Sequence, residues 1–323
     1  MARSIDTGWA ELFEAVVDVS RDVNHVTAAQ IKEITGLEPR LMAKFDTDES
    51  RPAAFKEHGY FILPVRNGEY VLIRGQGYHA VEPPSGEPQQ FRSRLKYRPK
   101  MTEMGLSEAS KLDLAHSVGL IDEFFGTTDS IRTLGGRKYS PDFEFSVGRH
   151  GPILVRQVQY EVDAGYEDEH KIVLLEAKIQ VPTNTIVRQL YYPYRALMSA
   201  LPNITVTTGF LAYEPDDSGG VFHLREYRFA DPGRYDSIEL VQSGSYRVQH
   251  PAAAEQEPPL MPAIEELFAA TVTQEWDVPQ ADDFEKVADI PVAVAMGYTE
   301  AKSMARRFGF TERQSSYYRD AAE

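Results

Sequence analysis

The sequence predicts a mixed α/β protein in three parts: an N-terminal α+β region, a central α/β core and a C-terminal helical module. Three observations predict it. Short aliphatic, strand-like runs alternate with capped helical segments as far as Tyr246. A proline-rich stretch from Pro251 to Pro262 then reads as a linker, and the text from Ile264 onward is helical. The corresponding boundaries are 1–104, 105–248, a linker at 249–262, and 263–323.

Bulk properties narrow the class. A chain of 323 residues, 42% hydrophobic and 11% aromatic, has enough apolar surface for two or three cores. No apolar run approaches the ~18–20 residues that span a bilayer, and the N-terminus has no signal-peptide pattern. The absence of cysteine excludes disulfides, thiolate zinc sites and cysteine catalysis, and fits the cytoplasm of a prokaryotic cell. The net charge of −15 is uneven, because residues 251–290 hold ten acids against Lys286 alone, leaving about −6 elsewhere. Binding to nucleic acid depends on the local field at the contact, so the global sum excludes little.

In the N-terminal region, Thr27 caps a helix that stops at Gly36. Residues 60–65 and 70–74 read as a β-hairpin turned at Asn67–Gly68, and Glu82–Pro88 reads as a loop. In the core, Ser107–Phe125 has helical periodicity. Residues 143–147, 153–162, 172–181 and 205–213 read as strands. Ile186–Leu201 reads as a helix containing Pro193, which should kink or restart it.

The chemistry concentrates on one predicted hairpin, residues 154–163 and 171–180, joined by a turn at Gly165–His170. Strand alternation puts Gln157, Gln159, Glu161 and Asp163 on one face of the first strand. It puts Glu176, Lys178 and Gln180 on one face of the second. A short turn fits a register that sets Asp163 opposite Glu176, although register is not fixed by sequence. Two carboxylates suit Mg2+, a hard ion that prefers oxygen ligands. A lysine beside them suits an attacking water and the charge that develops in a phosphodiester transition state. A salt-bridged surface ribbon would also explain the charges. It would not explain why Glu176 and Lys178 interrupt an otherwise core-like strand.

Asp163 followed by Glu176-Ala177-Lys178 resembles the PD-(D/E)xK motif of restriction endonucleases. The aliphatic flanks, the acid thirteen residues upstream and the following helix with Gln189 carry the resemblance, over about residues 115–215. It implies a restriction-endonuclease-like core in which Asp163, Glu176 and the Ala177 carbonyl bind Mg2+, with Mn2+ expected to substitute, while Lys178 assists the attacking water. It further implies a type II restriction endonuclease cutting double-stranded DNA at a short sequence as a homodimer. A repair, recombination or mobile-element nuclease of the same fold, and a non-catalytic DNA-binding regulator, remain as other readings. Asp142, in the literal Pro141-Asp142 pair, competes with Asp163 as the first acid. Glu161, Glu123, Gln180 and Gln189 are accessory candidates.

Two segments are candidates for holding DNA. Arg92, Arg94, Lys96, Arg98 and Lys100 recur at every second position, which in extended backbone makes one positive face able to track phosphates or to protect a sheet edge. In the C-terminal module, Ala305 and Gly309 have helix-turn-helix spacing, and Thr311 with Gln314 makes a capping box for a second helix. That helix would offer Arg313, Gln314, Tyr317 and Arg319 to DNA. The segment reads either as a helix-turn-helix resembling the winged-helix modules of some restriction enzymes, though without a wing, or as a plain helical hairpin. Gly75–Ala80 has a loose dinucleotide-type glycine pattern but leads into proline-rich text, and the eight histidines lack metal-ligand spacing.

Overall fold

Local caps set the N-terminal helices. The computed structural model describes residues 4–101, 105, 107–216, 219–250, 284–295, 297–309, 311 and 318, in two compact units, 1–253 and 254–323. Helix α1 (Ile5–Val16) is capped by the Ser4 side chain. In α2 (Ala28–Thr35), Thr27 and Gln30 form a reciprocal capping box, and Gly36 ends the helix at φ 71°. Two short helices follow, α3 (Pro39–Met42) and α4 (Ala53–His58). The expected hairpin is β2 (Tyr60–Arg66) with β3 (Glu69–Arg74), and β1 (Val23–Thr27) pairs with the other side of β3.

This three-stranded sheet is buried on both faces. Tyr60, Ile62, Tyr70 and Leu72 pack with Trp9, Leu12 and Phe55, while Phe61, Leu63, Val71 and Ile73 join the core of the central region. The sharing continues along the chain. Strand β4 (Tyr78–Ala80) pairs with β11 (Asn184–Ile186), and β5 (Gln89–Arg92) lies parallel to β14 (Ile238–Gln249). The expected boundary near residue 104 therefore runs through a shared core.

The central sheet has seven strands in the order β5-β14-β13-β12-β10-β9-β6. The further members are β6 (Ile131–Tyr139), β9 (Gln159–Glu167), β10 (Lys171–Ile179), β12 (Thr205–Glu214) and β13 (Val221–Phe229). Strands β10 and β12 are parallel, so helix α7 (Arg188–Ala200) crosses between them on one face. On the other face lie α5 (Glu108–Ser117) and α6 (Leu120–Phe125). Both faces of β10 are covered: Ile172 and Leu174 enter the α7-side core, Val173, Leu175 and Ala177 the other. A strand buried on both sides needs a near-continuous aliphatic run, which Lys171–Ile179 supplies.

Several expected elements are corrected. The strand read at 153–162 is two strands, since β8 (His150–Val155) pairs with β7 (Phe143–Val147) and the chain breaks at Gln157, φ 48°. There the Arg156 amide bonds the Val65 carbonyl at 2.8 Å, an attachment invisible to strand periodicity. The turn is shorter than Gly165–His170: β9 continues to Glu167, and the Asp168 carboxylate accepts from the amides of His170 and Lys171. The helix at 107–125 divides at Gly119, φ 92°, into α5 and α6. Strands β6, β13 and β14 lie outside the expected set. Exposed charges, a Gly-Gly pair and the buried His223 and Arg225 break their apolar patterns.

In the second unit, α8 (Phe284–Ala295) and α9 (Ala301–Phe308) are described. Gly309 ends α9 at φ 72°, its amide donating to the Ala305 carbonyl at 2.9 Å. Ile290, Ala293, Met304 and Tyr318 form a small core. Arg313, Gln314, Tyr317 and Arg319 lie outside the described residues. Among the described residues, no helix is long and apolar enough to cross a membrane.

Candidate functional site

Strands β9 and β10 bring the predicted acids together. Their antiparallel ladder pairs Leu174 with Gly165 and Leu175 with Ala164, so the next position in register sets Asp163 opposite Glu176. The ladder ends there because β9 changes course. Val158, Tyr160 and Val162 belong to the α7-side core, whereas Ala164 and Tyr166 belong to the opposite one. The β6–β9 pairing is irregular over the same stretch, between Leu134 and Gly136. At this crossover the Asp163 carboxylate accepts a hydrogen bond from the Ala177 amide at 2.9 Å. Its backbone carbonyl accepts from Arg132 at 2.7 Å, and the same guanidinium reaches Asp113 on α5 at 2.6 Å.

Glu176 is 6% exposed, in the middle of β10. One carboxylate oxygen, Oε1, accepts from both the Lys178 ammonium and the Gln189 amide. Gln189 stands in the first turn of α7, and its own carbonyl accepts from the Thr185 hydroxyl at 3.2 Å, which turns the amide nitrogen toward Glu176. Lys178 also donates to the Ala177 carbonyl at 3.0 Å and lies 3.8 Å from the Glu108 carboxylate. The site thus collects two carboxylates, a carbonyl and an ammonium from adjacent positions of two strands, held from behind by α7 and faced by α5.

Electrostatics follow from burial. Desolvation pushes the Glu176 carboxyl up to about 7; the Lys178 ammonium opposes that rise and the Asp163 charge adds to it. Burial pulls Lys178 down, but Glu176, Glu108 and Asp163 together outweigh it and hold the ammonium protonated above its ordinary value. Glu108 is raised by burial against the pull of Lys178. Asp46 also raises both Glu176 and Glu108 through space. It reaches this position because its carbonyl accepts from the Ile186 amide at 3.0 Å, docking the segment after α3 on β11.

Glu108 and Asp46 are the members that sequence reasoning missed. Glu108 had one signal, a place directly after the Ser107 cap of the helix preceding the core. Asp46 had none. The accessory candidates separate. Gln189 joins the site. Glu161 is exposed beside Arg137, and Glu123 is exposed on α6. Asp142 stands at the entry to β7, outside the seven-stranded sheet, 4.0 Å from Arg156. Gln180 lies past the end of β10 at φ 77°, its amide bonded to the Tyr213 carbonyl at 2.9 Å.

The basic stripe is not one extended face. Strand β5 ends at Arg92, and Arg94, its side chain still 42% exposed, bends over the end of α5 to bond the His116 carbonyl at 2.8 Å, the Ser117 carbonyl at 3.0 Å and Asp122 at 2.9 Å. It therefore caps the C-terminus of α5. Arg92 and Lys96 remain exposed, and Leu95 packs on the α5-side core.

The oxygen set fits Mg2+. Asp163, Glu176 and the Ala177 carbonyl are hard ligands, and the Lys178 ammonium resting on two of these oxygens shows that the position favours a cation. Among the described residues no three His, Asp or Glu side chains form a metal-holding group.

No curated protein matches the chain. A family model described as domain of unknown function DUF6996 matches residues 6–72, and one described as domain of unknown function DUF6997 matches residues 73–247. The second span covers the central sheet as far as Arg247 in β14, the site acids Asp163 and Glu176 and more than half of the 323 residues, and the chain belongs to the DUF6997 family.

Proposed function

We propose that this protein is a Mg2+-dependent endodeoxyribonuclease of the type II restriction kind, acting on double-stranded DNA in the cytoplasm of a prokaryotic cell. One observation carries the reading: Asp163, Glu176, the Ala177 carbonyl and Lys178 converge at a break in a sheet ladder, with the half-buried Gln189 fixing the glutamate. A structural ion pair does not need a second acid or a carbonyl at the same point.

Asp163, Glu176 and the Ala177 carbonyl would hold the ion. When bound, Mg2+ supplies polarisation of the scissile phosphate and neutralises charge on it. Lys178 keeps its proton, so it acts as a hydrogen-bond donor and fixed positive charge beside the attacking water. Gln189 holds the Glu176 carboxylate in one orientation, and the Arg132 link between Asp163 and α5 fixes the ladder break that presents Asp163. Exposed Arg92 and Lys96 would meet phosphates. Cutting both strands would use two copies of the chain about a two-fold axis.

The test is a supercoiled plasmid incubated with the full chain and Mg2+, in parallel with Glu176→Ala. Mg2+-dependent cleavage by the wild type alone supports the reading. Fragment ends that map to one short sequence support the restriction class. Absence of cleavage across many DNA substrates refutes a nuclease.

A further inference from the structure

Two cations cannot share one pair of oxygens. The Lys178 ammonium rests on Glu176 Oε1 and on the Ala177 carbonyl, 3.0 Å away, and both oxygens belong to the proposed Mg2+ set. An ion arriving there meets a positive charge at contact distance, in a site where Glu176 is 6% exposed and screening by water is weak. The ammonium must move, and burial makes a move to an uncharged place costly. One carboxylate outside the ligand set stands within reach: Glu108, 3.8 Å from Lys178 Nζ.

Geometry favours Glu108 as the destination. It lies in the first turn of α5, capped by Ser107, and α5 is tied to the site a second time through Asp113 and Arg132. Its position is thus set independently of Lys178. Its side chain is 41% exposed, so it can accept the ammonium while facing the solvent from which a water would come. Asp163 is a less suitable seat, because its Oδ2 is taken by the Ala177 amide and its charge is needed by the ion.

We infer that Glu108 is the second seat of the Lys178 ammonium: a divalent cation displaces Lys178 from Glu176 and Ala177 onto Glu108, and this exchange aims the ammonium at the attacking water. The inference rests on the proposed nuclease reading. Glu108 is then a positioning residue that acts through Lys178 and does not touch the ion.

The experiment uses the full chain with 13C,15N-labelled lysine, the Lys178 side-chain signal being assigned by its loss in Lys178→Arg. Mg2+ is the probe, binding is measured by calorimetry, and cleavage is measured in single turnover. The wild-type Lys178 signal should shift on Mg2+ binding, and Glu108→Gln should remove most of that shift. Glu108→Gln should also keep Mg2+ affinity within about threefold while slowing cleavage at least tenfold, with partial recovery in Glu108→Asp. A loss of Mg2+ affinity of tenfold or more in Glu108→Gln overturns the inference, since Glu108 would then be a ligand. An equal shift in wild type and variant overturns it too. A wild-type signal that ignores Mg2+ in a protein that still cleaves overturns the exchange and leaves the nuclease reading standing. A protein that binds Mg2+ with the predicted shift but cuts no DNA retains the exchange and refutes the nuclease.

Discussion

The buried Glu176 carboxyl should make the stability of the metal-free protein fall as pH rises through neutrality. Burial raises its pKa from an ordinary 4.5 to about 7, so between those values the folded state binds a proton that the unfolded state has released. Stability must then decline with pH across that window, by at most about 1.4 kcal/mol per unit, and level off above pH 7. Integrated from pH 5 to pH 8, the loss is on the order of 2–3 kcal/mol. Many groups titrate in a whole protein, so the comparison is with Glu176→Gln, which keeps the shape and the Gln189 contact but cannot ionise. Its stranded Lys178 adds an offset that is nearly constant in this range. Urea unfolding in the presence of a chelator, at four pH values from 5 to 8, should show the wild type losing on the order of 2–3 kcal/mol relative to the variant. A difference that stays constant with pH, or a wild type that gains on the variant as pH rises, would show that Lys178 overrides burial and that the reasoning is wrong.

Other outcomes follow from the same geometry. Glu176→Ala and Lys178→Ala should each abolish cleavage while DNA affinity stays within about tenfold, and Ca2+ should support binding without turnover; cutting by either variant in a plasmid assay sinks the site. Arg92→Ala with Lys96→Ala should reduce the slope of log affinity against log salt by up to about 1.8, or about 0.9 per lost phosphate contact, and an unchanged slope removes both from the interface. Arg94→Ala should instead lower stability by about 1–3 kcal/mol in thermal unfolding, because two helix-end carbonyls and Asp122 lose their donor; a neutral result contradicts the capping role. Removing residues 254–323 should leave a folded unit that retains Mg2+ binding, since the compact units divide at that point; aggregation of the truncated chain would argue otherwise.

How much of this was legible in sequence depends on whether the cause was local. The cap at Thr27, the stop at Gly36, the turn at Asn67–Gly68 and the aliphatic run of β10 are local, and each reads directly from its residues. The approach of Asp163 to the Glu176–Ala177 segment was legible for a related reason. Two strands joined by a short turn leave few registers, and the Asp168 cap selects among them. The break at Gln157 and the bend of Arg94 over α5 were not legible. Their partners, the Val65 carbonyl and the end of α5, lie far away in sequence, and alternation carries no information about them.

The same distinction orders the site itself. Its acids on β9 and β10 follow from a pattern of two, and Gln189 follows from its place at the start of the crossover helix. Glu108 and Asp46 come from elements that reach the site only through tertiary packing. Helix α5 is held over the sheet by Leu112 and Ala115 in the core, and the segment around Asp46 is held by a backbone bond to Ile186. From outside the motif, Asp46 raises Glu176 and Glu108, and Glu108 raises Lys178. A motif therefore identifies the groups that would touch the ion, while the packing of other elements decides how those groups are charged when the ion arrives. On that argument, substitutions in the apolar face of α5 should alter Mg2+ affinity without touching a ligand, because through Asp113 and Arg132 they move the ladder break at Asp163.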